Sequence, residues 1–156
     1  MTMKKPLLLA LMVVGCTDPF FGGSTDPIVP LDVTLSYTLT DSMYHPDRQR
    51  WECKYTLTAE ANGGPDDDFA VWETSVMRRV SWADGVMHEA HINFSPMMLQ
   101  DLWGVDRIRT GETLTSTQET HGPSGITQGF LLDWTFRFGM SDGSHRSETL
   151  HVNCRD

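Results

Sequence analysis

The sequence predicts an all-β protein, an antiparallel β-sandwich of seven or eight strands with one short helical turn. Three observations point there. From residue 31 onward, apolar residues recur mostly with a period of two, the period of a strand with one buried face. Turn-forming residues interrupt that pattern at intervals. Only the stretch after Ser95 carries a helix start signal.

The elements follow in order. Val33, Leu35, Tyr37 and Leu39 alternate with Thr34, Ser36, Thr38 and Thr40, a first half-buried strand. Trp51, Cys53, Tyr55, Leu57 and Ala59 alternate with Glu52, Lys54, Thr56 and Thr58, a second, which Asn62-Gly63-Gly64-Pro65 ends. Phe69 to Trp82 is a long third stretch whose even positions Trp72, Thr74, Val76, Val80 and Trp82 are expected mostly to face the core. Arg78 interrupts that row, so a bulge or strand end is expected there. Asp84-Gly85 turns the chain into a strand from His88 to Phe94, with Ala90, Ile92 and Phe94 inward. Ser95 can cap a helical turn over residues 96–102, and Pro96 suits its first position. Glu112 to Thr120 is Thr-rich and poor in apolar residues, which suits an edge or exposed strand, and 121–129 reads as a loop. Phe130, Leu132, Trp134, Phe136, Phe138 and Met140 form the cleanest apolar stripe in the chain. Asp142-Gly143 is a tight hairpin turn, and Leu150, Val152 and Cys154 share one face of the last strand.

This pattern is similar to immunoglobulin-like domains of envelope lipoproteins, at the level of architecture. The antibody-type Cys–Trp–Cys arrangement is not reproduced: Trp72 follows Cys53, but the second Cys falls in the final strand. A small β-barrel of lipocalin-like form is the alternative.

The amino terminus has a different character. Lys4 and Lys5 precede an eight-residue apolar run, Leu7 to Val14. As a helix that run would span about 12 Å, against about 30 Å of hydrocarbon, so it fits a signal-peptide core and not a membrane span. It ends in Val13-Val14-Gly15-Cys16, which resembles the lipobox of bacterial lipoprotein precursors. That resemblance implies a diacylglyceryl thioether on Cys16, cleavage before it, and acylation of the new amino group by a chain such as palmitate. The expected organisation is a signal peptide over 1–15, a lipidated amino terminus and flexible tether over 16–30, rich in Pro and Gly, and a β-sandwich domain over 31–156. Thr17, not Asp, follows Cys16; by the enterobacterial sorting convention that favours the outer membrane over the inner. The membrane is thus an expected partner through the lipid.

Acidic residues outnumber basic ones, 21 to 12, and removal of Lys4 and Lys5 makes the mature chain more acidic still. That argues against nucleic acid as a partner. If Cys16 carries lipid, Cys53 and Cys154 remain. Two thiols in an oxidising compartment read as one disulfide.

Several motifs invite a chemical reading. His88-Glu89-Ala90-His91 has His residues three apart. The helical zinc-protease pattern needs four, and three on a strand places the rings on opposite faces. His88 and His91, beside Met87, are retained only as candidates for a soft metal site. Asp66-Asp67-Asp68 lacks the alternating spacing of a calcium loop. Gly139-Met140-Ser141-Asp142-Gly143 matches the letters of a nucleophile elbow, but it joins two predicted strands instead of a strand and a helix. No enzyme and no cofactor are expected. Of the five Trp, Trp72 and Trp134 have core parity, and Trp51 shares the parity of Cys53. Trp82 and Trp103 remain as candidates for a sugar-binding platform. The functional expectation is a lipid-anchored cell-envelope protein whose sandwich binds another envelope protein without catalysis. The alternative is a carbohydrate- or metal-binding envelope module.

Overall fold

The computed structural model describes residues 29–155; the expected signal peptide, the expected lipidation residue Cys16 and the expected tether up to residue 28 lie outside the described residues. In chain order the elements are β1 (Asp32–His45), β2 (Arg50–Asn62), β3 (Phe69–Ala83), β4 (Val86–Phe94), α1 (Pro96–Trp103), β5 (Arg107–Arg109), β6 (Thr113–His121), β7 (Phe130–Met140) and β8 (His145–Cys154). They form two antiparallel sheets. One has the order β1-β2-β6; the other has the order β4-β3-β7-β8, with the short β5 pairing the start of β3. The sheets do not close into a barrel. With β5 set aside, this is an immunoglobulin-like sandwich in which the fourth strand pairs with the third instead of joining the first sheet.

The core forms where inward parity from the two sheets meets. Trp51, Cys53, Tyr55, Leu57, Ala59 and Ala61 of β2 pack with the Phe130–Met140 stripe of β7 and with Trp72 and Met77 of β3. Inside it, Trp134 Nε1 donates to the Tyr55 hydroxyl at 3.1 Å, so a buried indole N–H is satisfied. Cys53 and Cys154 are bonded and tie β2 to β8, one strand from each sheet.

Local chemistry explains the punctuation. Ser95 caps α1, its hydroxyl accepting from the Met98 N–H; Pro96 opens the helix and Gly104 ends it at φ 76°. Asp84 and Gly85, at φ 50° and 77°, make the two-residue turn between β3 and β4, a conformation with both residues left-handed.

Four expectations need correction. The bulge in β3 lies between Trp72 and Thr74, not at Arg78. The extra residue there, Glu73, reverses the parity beyond it, so Ser75, Met77 and Ser81 are buried while Thr74 and Val76 face outward. In β1 a register shift between Leu39 and Asp41 turns Ser42 and Tyr44 inward beyond it, while Leu39, the last residue before the shift, keeps inward parity yet is 40% exposed. Ile92 has inward parity yet is 42% exposed, because β4 edges the wider sheet and no strand of the narrower one faces it. The strand β5 was not expected at all.

The strands run between two poles. At the first, the chain enters at Val29 beside Gly64 (N–H to O, 2.8 Å), near the 141–144 turn. At the second lie the 46–49 turn, the Asp84-Gly85 turn, the 122–129 loop and Arg155. The fourteen residues of β1 separate the poles by about 43 Å at ~3.3 Å per residue.

Candidate functional site

The second pole carries two polar constructions. The first centres on Glu52. Its parity in β2 places it on the outer face of the three-stranded sheet, opposite Met43 of β1 and His121 of β6. The turn after β1 folds over it, and its side chain is only 5% exposed. Arg48 NH1 donates to Glu52 Oε1 at 2.6 Å, and Arg50 reaches the same oxygen at 3.3 Å. His45 Nε2 lies 3.2 Å from Oε2, and His121 Nδ1 lies 3.8 Å from Oε1. Glu119, two residues before His121, is 3.5 Å from His121 Nε2 and 3.7 Å from Lys54 Nζ. Burial works to raise the Glu52 carboxyl, but the hydrogen bonds from Arg48 and Arg50 outweigh it, so Glu52 titrates below its ordinary value. His121 Nδ1 is buried without a hydrogen-bond partner. The His121 carbonyl accepts from Arg79 NH1.

The second construction is a cleft around Trp82 at the end of β3. It has a volume of about 450 Å³ and is lined by Trp82, the Asp84-Gly85 turn, Gly125, Thr127 and Gln128. A smaller cavity of about 210 Å³ adjoins it on the side of Gly129 and Arg155. Arg155 places its guanidinium 4.2 Å from the Trp82 ring centroid. Gly129 lets the loop pass: at φ 74° a Cβ there would sit 2.1 Å from the Cys154 carbonyl oxygen.

Of the sequence-predicted residues, Trp82 is half-buried at this pole and lines the cleft. Trp103 is not a platform. It is 5% exposed and stacks on Trp72 at 4.9 Å with an interplanar angle of 7°, because α1 turns the face bearing Leu99 and Trp103 into the core. Trp51 is buried and donates to Ser42 Oγ at 2.7 Å. His88 and His91 pair with Ser81 and Arg78 across β3, so they take opposite faces of β4 and do not converge. His91 Nε2 instead lies 2.6 Å from Glu89 Oε1, and Glu89 is further held by Arg78 Nε at 2.9 Å. Ser141 Oγ donates to Asp68 Oδ1 at 2.9 Å, whereas His145 Nδ1 sits 2.9 Å from Glu73, so the two are engaged separately on the 141–144 hairpin. The Glu52 group was missed by sequence reading. Its members come from three strands, and each occupies an unremarkable outward position of its own strand.

No protein-family model matches the chain, and no curated protein does. Solved structures do. A Bordetella pertussis protein carrying the provisional name ApaA is 16% identical, with 81% of this chain and 94% of that one covered and a TM-score of 0.54. The structural-genomics target SoR45 is 14% identical over 79% of this chain and 86% of that one, with a TM-score of 0.47. The first of these likenesses supports the two-sheet fold and nothing beyond it.

Proposed function

We propose that this is a bacterial lipoprotein anchored through Cys16, and that its sandwich is a non-catalytic domain presenting the second pole to a protein partner in the envelope. The supporting observation is polarity. The chain enters the domain at the first pole, and the Trp82 cleft and the Glu52 group lie about 43 Å away at the other. An anchor at one end leaves the opposite loops free to meet a partner and raises their effective concentration near one.

The test is site-specific crosslinking in cells at native expression, from Thr127 at the second pole and from Asp142 at the first, with the Cys16→Ser chain as control. Capture of one envelope protein from Thr127, weak from Asp142 and lost in the control, is the expected result. Maturation and membrane retention of the Cys16→Ser chain as before would overturn the lipoprotein reading. Equal capture from both poles would overturn the polar one.

A second reading, a carbohydrate-binding envelope module, rests on the Trp82 cleft. It combines an aromatic ring, the Gln128 amide and the Arg155 guanidinium around one cavity. Micromolar glycan binding abolished by Trp82→Ala would establish it in place of the first.

A further inference from the structure

We propose that Glu52, Glu119 and His121, with His45 beside the other Glu52 oxygen, form a binding site for a divalent transition-metal ion of the zinc type, held shut by Arg48 when no ion is bound. This stands apart from the anchoring proposal. Zinc holds imidazole nitrogen and carboxylate oxygen at about 2.0–2.2 Å, so two donors sharing an ion in tetrahedral to wider geometry lie roughly 3.3–3.8 Å apart. Glu52 Oε1 and His121 Nδ1 are 3.8 Å apart, and Glu52 Oε2 and His45 Nε2 are 3.2 Å apart. One donor atom from each of Glu52, Glu119 and His121 lies within 4.8 Å of the others. Glu119 Oε1 stands 3.5 Å from the other ring nitrogen of His121, Nε2, so rotation of this half-exposed carboxylate or of the imidazole is what brings both carboxylates to one nitrogen.

A second observation points the same way. The Nδ1 of His121 is buried and has no hydrogen-bond partner, which is costly for a polar atom; the Glu52 oxygen it would share an ion with lies 3.8 Å away. An imidazole with two carboxylates, and a second imidazole within reach of Glu52, suits zinc better than calcium or magnesium, which take oxygen ligands.

The Arg48 guanidinium, 2.6 Å from Glu52 Oε1, competes for the same oxygen. It is 54% exposed on the 46–49 turn and has Asp47 within 3.7 Å, so it has somewhere to go. Arg50, at 3.3 Å from the same oxygen, is the weaker second competitor, so metal affinity is net of displacing both guanidinium contacts, the Arg48 one being the shorter. Removing Arg48 should tighten binding, whereas a merely structural ion-pair network predicts no response to metal at all.

The experiment uses the full chain in detergent, stripped with a chelator and titrated calorimetrically with zinc chloride, with calcium and magnesium chlorides for comparison. One zinc per chain is expected, with neither of the other ions competing at equal concentration. His121→Ala and Glu119→Gln should each weaken zinc by about 10–100-fold or more. Arg48→Ala should tighten it severalfold, and His88→Ala should leave it unchanged. Circular dichroism checks that each variant is folded. Cobalt(II) substituted for zinc gives a visible absorption that reports ligand geometry in the folded ones. Absence of saturable zinc binding, binding that survives both ligand substitutions, or weakening by Arg48→Ala would each overturn the proposal.

Discussion

Removing the Cys53–Cys154 bond should cost the domain a large share of its stability. The bond closes a loop of 101 residues and joins β2 to β8, and both cysteines are fully buried. In the chain-entropy model a loop of that length withdraws about 4.7 kcal/mol of freedom from the unfolded chain at 25 °C. Domains of this size have about 5–15 kcal/mol in total. Unfolding entropy of about 2.1 cal/mol/K per residue, over the ~127 residues from 29 to 155, amounts to ~0.27 kcal/mol/K. The cross-link should therefore be worth about 17 °C in Tm by the same scaling. The variant is Cys53→Ala with Cys154→Ala, compared with the oxidised protein by guanidinium and thermal unfolding. The denaturant slope should also rise, because an uncrosslinked chain exposes more surface when it unfolds. A loss below about 1.5 kcal/mol, or a Tm shift below about 5 °C, would refute the reasoning, since it would mean that the unfolded chain is not constrained by this loop as the entropy model requires.

Two further predictions follow from side-chain environments. Trp103→Ala should destabilise the domain by about 3–5 kcal/mol in equilibrium unfolding, the range for emptying a buried aromatic site. Trp82→Ala should stay within about 1 kcal/mol, which separates a core indole from one at a cleft. Glu89 should titrate at about 2 by carboxyl carbon NMR, because hydrogen bonds from Arg78 and then His91 hold it ionised. Its folded value is depressed, so its stabilising contribution is present above the ordinary carboxylate range and is lost as pH falls towards about 2; Arg78→Ala should move the midpoint back up.

Strand parity made the fold legible because β2 and β7 are central strands, each with a partner on both sides and one face in the core. Their alternation is uninterrupted, and every residue on the inward stripe of β7, Phe130 to Met140, is buried. Parity failed where the backbone inserts a residue. Glu73 is paired to nothing across β7, and its carboxylate turns instead to Arg137 and His145 at 2.9 Å each. Nothing in the letters around Glu73 announces that shift, so Val76 was assigned to the wrong face. Trp103 was misplaced for a different reason. Leu99 and Trp103 are four apart, the spacing of one helical face, and that signal was readable once residues 96–103 were taken as a full helix. The Glu52 group was not readable at all. His45, Glu52 and His121 meet only through the pairing of β1 with β2 and β2 with β6, and no local window contains more than two of them.

The two sides of the sandwich differ in a way that bears on where a partner can attach. On one side β1 and β8 are stitched together: the Asn153 N–H donates to the Tyr37 hydroxyl at 3.3 Å, and Arg146 lies 3.5 Å from Asp32. On the other, β6 and β4 are both edge strands. Strand addition gains affinity from backbone bonds, but it gains specificity from pockets for alternate side chains. Short of the second pole the outward residues of β6 are Thr113, Thr115 and Thr117, which offer no pocket. On its inward side, Ser116 is bonded to the Leu102 carbonyl at the end of α1. The edge of β4 mixes exposed Val86, Met87 and Ile92 with His88, Glu89, His91 and Asn93, and the charged and polar side chains on it oppose strand addition. Both edges thus resist indiscriminate pairing and offer little by which to select one partner. The second pole has a shaped cleft, an aromatic ring under a guanidinium, and a buried carboxylate ringed by imidazoles. Selectivity requires groups of that kind, and a partner of the proposed sort would be read there, not along either edge.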